Sequence, residues 1–112
     1  MADVIHLKNR HCRPCEGGTS PLAEDRVRAL LEQVPGWERE DKEIVRTFTF
    51  KNHYRTMAFV NAVAFVSHRE DHHPMMEVGY KTCKVRYSTH AIGGLSENDF
   101  ICASKVDALL SD

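Results

Sequence analysis

What this chain lacks says most about what it is not. Its charges almost cancel, with 15 Lys and Arg against 16 Asp and Glu. Near-neutrality without a basic cluster argues against a nucleic-acid surface. No apolar run approaches the roughly 20 residues that a membrane span needs, and Met1 to His6 carries no signal-peptide core. Four cysteines in 112 residues are too few and too scattered for a disulfide framework. The expected setting is therefore the reducing cytoplasm. Low-complexity tracts are absent too. The remainder, 42% hydrophobic and 28% charged, is the composition of one soluble domain, long enough to close a core without staples.

Residues 1–18 read as a flexible arm outside that core, being polar, with Pro14 and Gly17-Gly18 and no sustained periodicity. The arm holds Cys12-Arg13-Pro14-Cys15 beside His11. Such a pair is half of a zinc site or of a redox couple, and the other half is missing from the nearby sequence. The simplest expectation is two spare thiols.

Residues 19–112 form the folded domain. Ser20-Pro21 announces a first helix, with Leu22, Val27, Leu30, Leu31 and Val34 as its apolar stripe and Pro35-Gly36 as its stop. From Trp37 the pattern turns extended, reverses at Glu40-Asp41-Lys42 and alternates from Glu43 to Phe50, a hairpin. Asn52 or its neighbour caps a long helix from Tyr54 to His68, apolar on more than one face and so covered twice, within the domain or by another subunit. A second hairpin pairs Met76–Tyr80 with Cys83–Thr89, turning at Lys81-Thr82. After Gly93-Gly94, Ser96-Glu97-Asn98-Asp99 has the form of a capping box before a helix that turns Phe100, Ala103, Val106 and Leu110 inward. Cys83 and Cys102 fall on apolar faces as small buried residues. The order α-β-β-α-β-β-α predicts an α+β domain, a four-stranded antiparallel sheet with three helices on one face. Its open edges favour a homodimer or homotetramer.

The chemistry concentrates at Asp71-His72-His73-Pro74, one turn after His68. Pro74 biases the residue before it away from the helical region, so the helix should end here and present the two histidines to a loop. Neutral imidazoles both give and take protons at ordinary pH. Paired histidines are thus either an acid–base device or merely a solvated helix end. His90 at a strand end and Asp99 in the first turn of the last helix stand where rigid scaffolds carry functional groups. Asp99 alone reads equally well as a cap, and Tyr80 as a cross-strand packing residue.

The run from His68 to Leu110 resembles the pterin-4a-carbinolamine dehydratase family. His68, His72-His73-Pro74, Tyr80, His90 and Asp99 fall at that family's intervals, and Ser88-Thr89-His90 and Gly93-Gly94-Leu95-Ser96 read like its text. The resemblance implies dehydration of 4a-hydroxytetrahydropterin, the adduct left by pterin-dependent aromatic amino acid hydroxylases, to the quinonoid dihydropterin. Protons move in that elimination, so neither a metal nor an organic cofactor is expected. His72 and His90 would be the acid–base pair, with His73 aiding catalysis by positioning the substrate. His68, Asp71, Pro74, Tyr80, Ser88, Thr89 and Asp99 would complete the pterin site. His68 stands where many members have Glu, and Met75-Met76 where several have Trp.

Two other readings remain. His68, His72 and His90 could hold zinc in a hydrolase, since His68 and His72 have i,i+4 spacing. The scaffold could also serve as a non-catalytic binding or assembly protein, as some relatives of the family do. A complete histidine set favours the enzyme.

Overall fold

The computed structural model describes residues 7–14 and 20–110. The first helix, α1 (Glu24–Leu31), starts later than its Ser-Pro signal, with Ala23 at the N-cap. The reason is tertiary. Residues 20–23 run against the loop before the last helix, where the Leu22 amide donates to the Leu95 carbonyl at 2.9 Å. A Cβ on Gly94 would meet Pro21 at 2.8 Å, so only glycine admits this approach. Val27, Leu30 and Val34 are buried as their spacing requires.

Strand β1 (Glu38–Glu40) turns through Asp41, which sits in the left-handed region at φ 56°, into β2 (Glu43–Thr49). Helix α2 (His53–Glu70) follows, capped by the Asn52 side chain, which accepts from the Arg55 amide at 2.9 Å. Strands β3 (Met75–Val78) and β4 (Thr82–Tyr87) form the second hairpin. Its reversal lies at Gly79 to Lys81, one residue earlier than expected, because the Gly79 amide closes onto the Thr82 carbonyl at 2.8 Å. Helix α3 (Glu97–Ala108) ends the fold.

The sheet is antiparallel throughout in the order β1-β2-β4-β3. Burial alternates along β4: Cys83, Val85, Tyr87 and the following Thr89 point inward. The helices supply Thr56, Phe59, Val63 and Ser67 from α2 and Phe100, Ala103 and Val106 from α3. Trp37 is core, its indole N–H donating to Asp107 at 3.0 Å while its ring packs near Phe48 and Tyr87. Leu110 departs from expectation. It lies past the end of α3 and is half exposed. Among the described helices, none is long and apolar enough to cross a membrane.

The arm also departs from expectation where it is described. Leu7–Asn9 form a 3₁₀ turn, and Leu7, only 2% exposed, joins the core against α3. Burying one such side chain is worth about 1.5–3 kcal/mol, which offsets part of the entropy cost of ordering the segment. Polar contacts then extend the docking. The Cys12 amide donates to Glu70 at 2.7 Å and the Arg13 amide to the Asn98 side chain at 2.9 Å, while Asn98 returns a bond to the Arg13 carbonyl. Helical periodicity cannot reveal a segment held this way. Cys15 and Gly17-Gly18 lie outside the described residues.

Candidate active site

Four pieces of chain meet at one end of the sheet. Helix α2 stops at Asp71, which adopts the left-handed conformation (φ 52°) while the His72 amide bonds back to the Ser67 carbonyl at 3.1 Å. The left-handed residue is therefore the stop, three positions ahead of Pro74, and Asp tolerates that conformation better than most side chains. The chain reverses there and delivers His72 and His73 to the cavity. Beyond Tyr87, β4 delivers Ser88, Thr89 and His90, whose backbone curls into a second 3₁₀ turn, His90–Ile92, ended by left-handed Gly93. The first turn of α3 contributes Asn98 and Asp99, and the docked segment contributes Cys12, Arg13 and Pro14.

Together they enclose an open cavity of about 510 Å³ lined by Asp71, His72, His73, Ser88, Thr89 and His90, with Arg69, Glu70 and Asn98 among the rest. His90 also borders a second hollow of about 360 Å³ toward Asp41 and Gly93, so it stands between the two.

Beneath the cavity floor, Asp99 is fully buried. One carboxylate oxygen faces His72 Nε2 at 2.6 Å; the other accepts from the Thr89 hydroxyl and the Ser96 amide, both at 2.9 Å. The Ser96 contact completes the predicted capping box. A buried carboxylate with three donors is well satisfied and orients whatever it holds. His72 is held on its flat side as well, its ring stacking on Tyr87 with centroids 5.7 Å apart and planes 9° apart. With Nε2–H donating to Asp99, Nδ1 is the ring nitrogen left to exchange protons. Burial pushes the Tyr87 hydroxyl well above its ordinary ionisation range, so it stays neutral beside the imidazole.

Not every sequence candidate arrives. His68 is exposed on α2 and does not line the cavity, so it does not converge with His72 and His90. Among the described residues no group of three metal-ligating side chains is placed to share an ion. Pro74 leads into β3, outside the lining. Tyr80 lies at the far end of α2, stacked on His53 with ring centroids 5.6 Å apart. The 18 residues of that helix, rising about 1.5 Å each, separate it from the cavity. Asp99 is present but lies below the cavity, in contact with His72.

Tyr87, Glu70, Asn98 and Arg13 were missed by sequence reasoning. Tyr87 is legible only as an inward strand residue. Glu70 closes α2 with its side chain almost buried. Burial alone would raise its carboxyl, but the Cys12 amide, His11 and Lys105 outweigh that and hold it below its ordinary range. It is an ionised anchor for the docked segment, a role visible only once that segment is seen to fold back.

A helix-end histidine pair and a strand-end histidine share one cavity on this α+β scaffold, with His72 resting on a buried carboxylate. The chain belongs to the pterin 4 alpha carbinolamine dehydratase family, whose sequence model matches residues 20–109. A Nitrosomonas eutropha protein provisionally named a pterin-4-alpha-carbinolamine dehydratase is 62% identical over 111 residues, covering 98% of each chain. Among solved structures, a transcriptional coactivator/pterin dehydratase from Brucella melitensis superposes with a TM-score of 0.79 at 28% identity. That match covers 82% of this chain and all of the other. A pterin dehydratase-like protein described as a RuBisCO assembly factor in the alpha-carboxysome shares the fold, with a TM-score of 0.56 at 23% identity over 68% of this chain and 88% of the other.

Proposed function

We propose that this protein dehydrates 4a-hydroxytetrahydropterin to the quinonoid dihydropterin, with His72 and His90 moving the protons. The observation that carries the reading is the Asp99–His72 pair at 2.6 Å, set beside His90 in one open cavity. Elimination of water needs a proton on the departing 4a-hydroxyl and a base for a ring proton. Two imidazoles on different chain elements can face opposite sides of one flat substrate. His72, ionically backed by Asp99, suits the group that carries positive charge during turnover. His90, exposed at the cavity mouth, suits exchange with solvent. His73 and the Ser88 and Thr89 region offer polar contacts to the pterin edge, alongside Asp71.

On this reading the reaction follows a pterin-dependent aromatic amino acid hydroxylase, and the free thiols of Cys12, Cys83 and Cys102 fit a cytoplasmic setting. The test generates the hydroxylated pterin enzymatically and follows its dehydration by ultraviolet absorbance. Clear acceleration over the spontaneous rate is expected. A folded protein that gives none would move the function to a binding role on the same scaffold.

We also infer a homo-oligomer. Tyr54 and Phe65 stand 82% and 61% exposed on the outer side of α2, and among the described residues β1 and β3 leave both sheet edges unpaired. Light scattering at micromolar concentration should give a dimer or tetramer mass; a clean monomer would refute this.

A further inference from the structure

We propose that Cys12 and Cys102 form a redox-active pair that closes to a disulfide under hydrogen peroxide and locks the docked N-terminal segment as a fixed wall of the histidine cavity. Their sulfurs lie 3.5 Å apart although the residues are 90 positions apart in the chain. A disulfide requires about 2.05 Å, so the two sulfurs must move together to close it. The two thiols are unequal in access. Cys12 is half-buried and lines the cavity, so a small oxidant reaches it from there. Cys102 is fully buried on α3, with its sulfur 3.8 Å from the His72 carbonyl oxygen. Peroxide therefore meets Cys12 first, and Cys102 waits behind it.

The chemistry balances in two steps. The Cys12 sulfur attacks the peroxide, the O–O bond breaks, and Cys12 sulfenic acid and one water result. The Cys102 sulfur then displaces the sulfenic hydroxyl, forming the S–S bond and releasing a second water. Two thiols are oxidised by two electrons and one peroxide is reduced. Its contact with Cys102, its burial and the nearby Glu70 carboxylate all push the Cys12 ionisation up, so peroxide reacts through a small thiolate fraction and the closure is slow.

The linkage would matter because of where the segment sits. Cys12, Arg13 and Pro14 line the cavity that also holds His72, His73 and His90. In the reduced protein this wall rests on the Glu70 and Asn98 hydrogen bonds and on Leu7. A covalent tie across so long a loop also restricts the unfolded chain strongly. Cys83, buried alone on β4, is an internal control.

The test treats the full-length protein with hydrogen peroxide and maps peptides by mass spectrometry without reduction. The proposal requires a linked peptide pair containing Cys12 and Cys102, lighter by two hydrogens. It also requires a rise in Tm of several degrees and slower tryptic cleavage after Arg10, both reversed by dithiothreitol. Cys12→Ser should abolish all three changes, and Cys102→Ala should do so independently. A Cys12–Cys15 link, a link between two chains, over-oxidation without any link, or a Tm rise that survives Cys12→Ser would each overturn it. None of these readouts depends on the dehydratase reaction, so the pair and that activity stand or fall separately.

Discussion

His72→Ala and His90→Ala should each lower kcat for pterin dehydration by about 10²- to 10⁴-fold, the usual worth of a positioned acid or base. The two variants should fail differently. His90 is exposed on a 3₁₀ turn with its side chain toward two hollows. Its removal should leave Tm nearly unchanged and the rate loss should be purely chemical. His72 is wedged between Asp99 and Tyr87. Truncating it strips the Asp99 carboxylate of one donor and Tyr87 of its stacking partner, so a modest stability loss should accompany the rate loss. The double variant should fall only slightly below the worse single one, because acid and base act in one transition state. Single-turnover kinetics with a thermal melt of each variant decides this. Full activity in either single variant would remove that histidine from the acid–base pair.

Asp99→Ala should have the largest effect on stability. The residue is fully buried and accepts from His72, Thr89 and the Ser96 amide. Truncation removes the shared acceptor of all three donors, of which Thr89 keeps its 2.7 Å contact with the Ser96 hydroxyl, and breaks the α3 cap, at a combined cost of about 3–5 kcal/mol. For a domain of this size Tm should drop by roughly 10 °C or more. Asp99→Asn tests position apart from folding. It keeps the volume and one acceptor but loses the charge behind His72. Its Tm should fall far less than that of Asp99→Ala, while kcat drops by about 10²-fold or more with KM little moved. Nitrogen NMR of the His72 ring reads the cause directly: Nε2–H in the native protein, a mixture of tautomers in the variant. A native tautomer in an inactive Asp99→Asn protein would make Asp99 more than a positioning residue.

Much of the frame was legible beforehand because it rests on local rules. Period-2 alternation marks β2, helical spacing marks α1, and four residues carry the Ser96–Asp99 box. The structure departs from the local signal where a distant contact outweighs it. Ser20-Pro21 carries a good helix start, yet the chain there bonds to Leu95 instead. Pro74 carries a good helix stop, yet Asp71 ends the helix first. Met1 to Gly18 carries no pattern at all, yet Leu7 docks in the core and Cys12 finds Cys102.

The sequence by itself determined the α+β order, the alternating face of β4 and which proton-carrying residue types the chain holds, since these follow from periodicity and side-chain chemistry. Which of those residues meet was decided only by tertiary structure. His72, His73 and His90 converge because a left-handed turn at Asp71 and the end of β4 open on the same side of α3. Tyr80 and His68 carry equally suggestive spacing but fall elsewhere, one at the opposite end of an 18-residue helix and the other on its outer surface. Spacing along a chain fixes direction within one element. Convergence between elements depends on how their apolar faces pack, and that is a property of the whole fold.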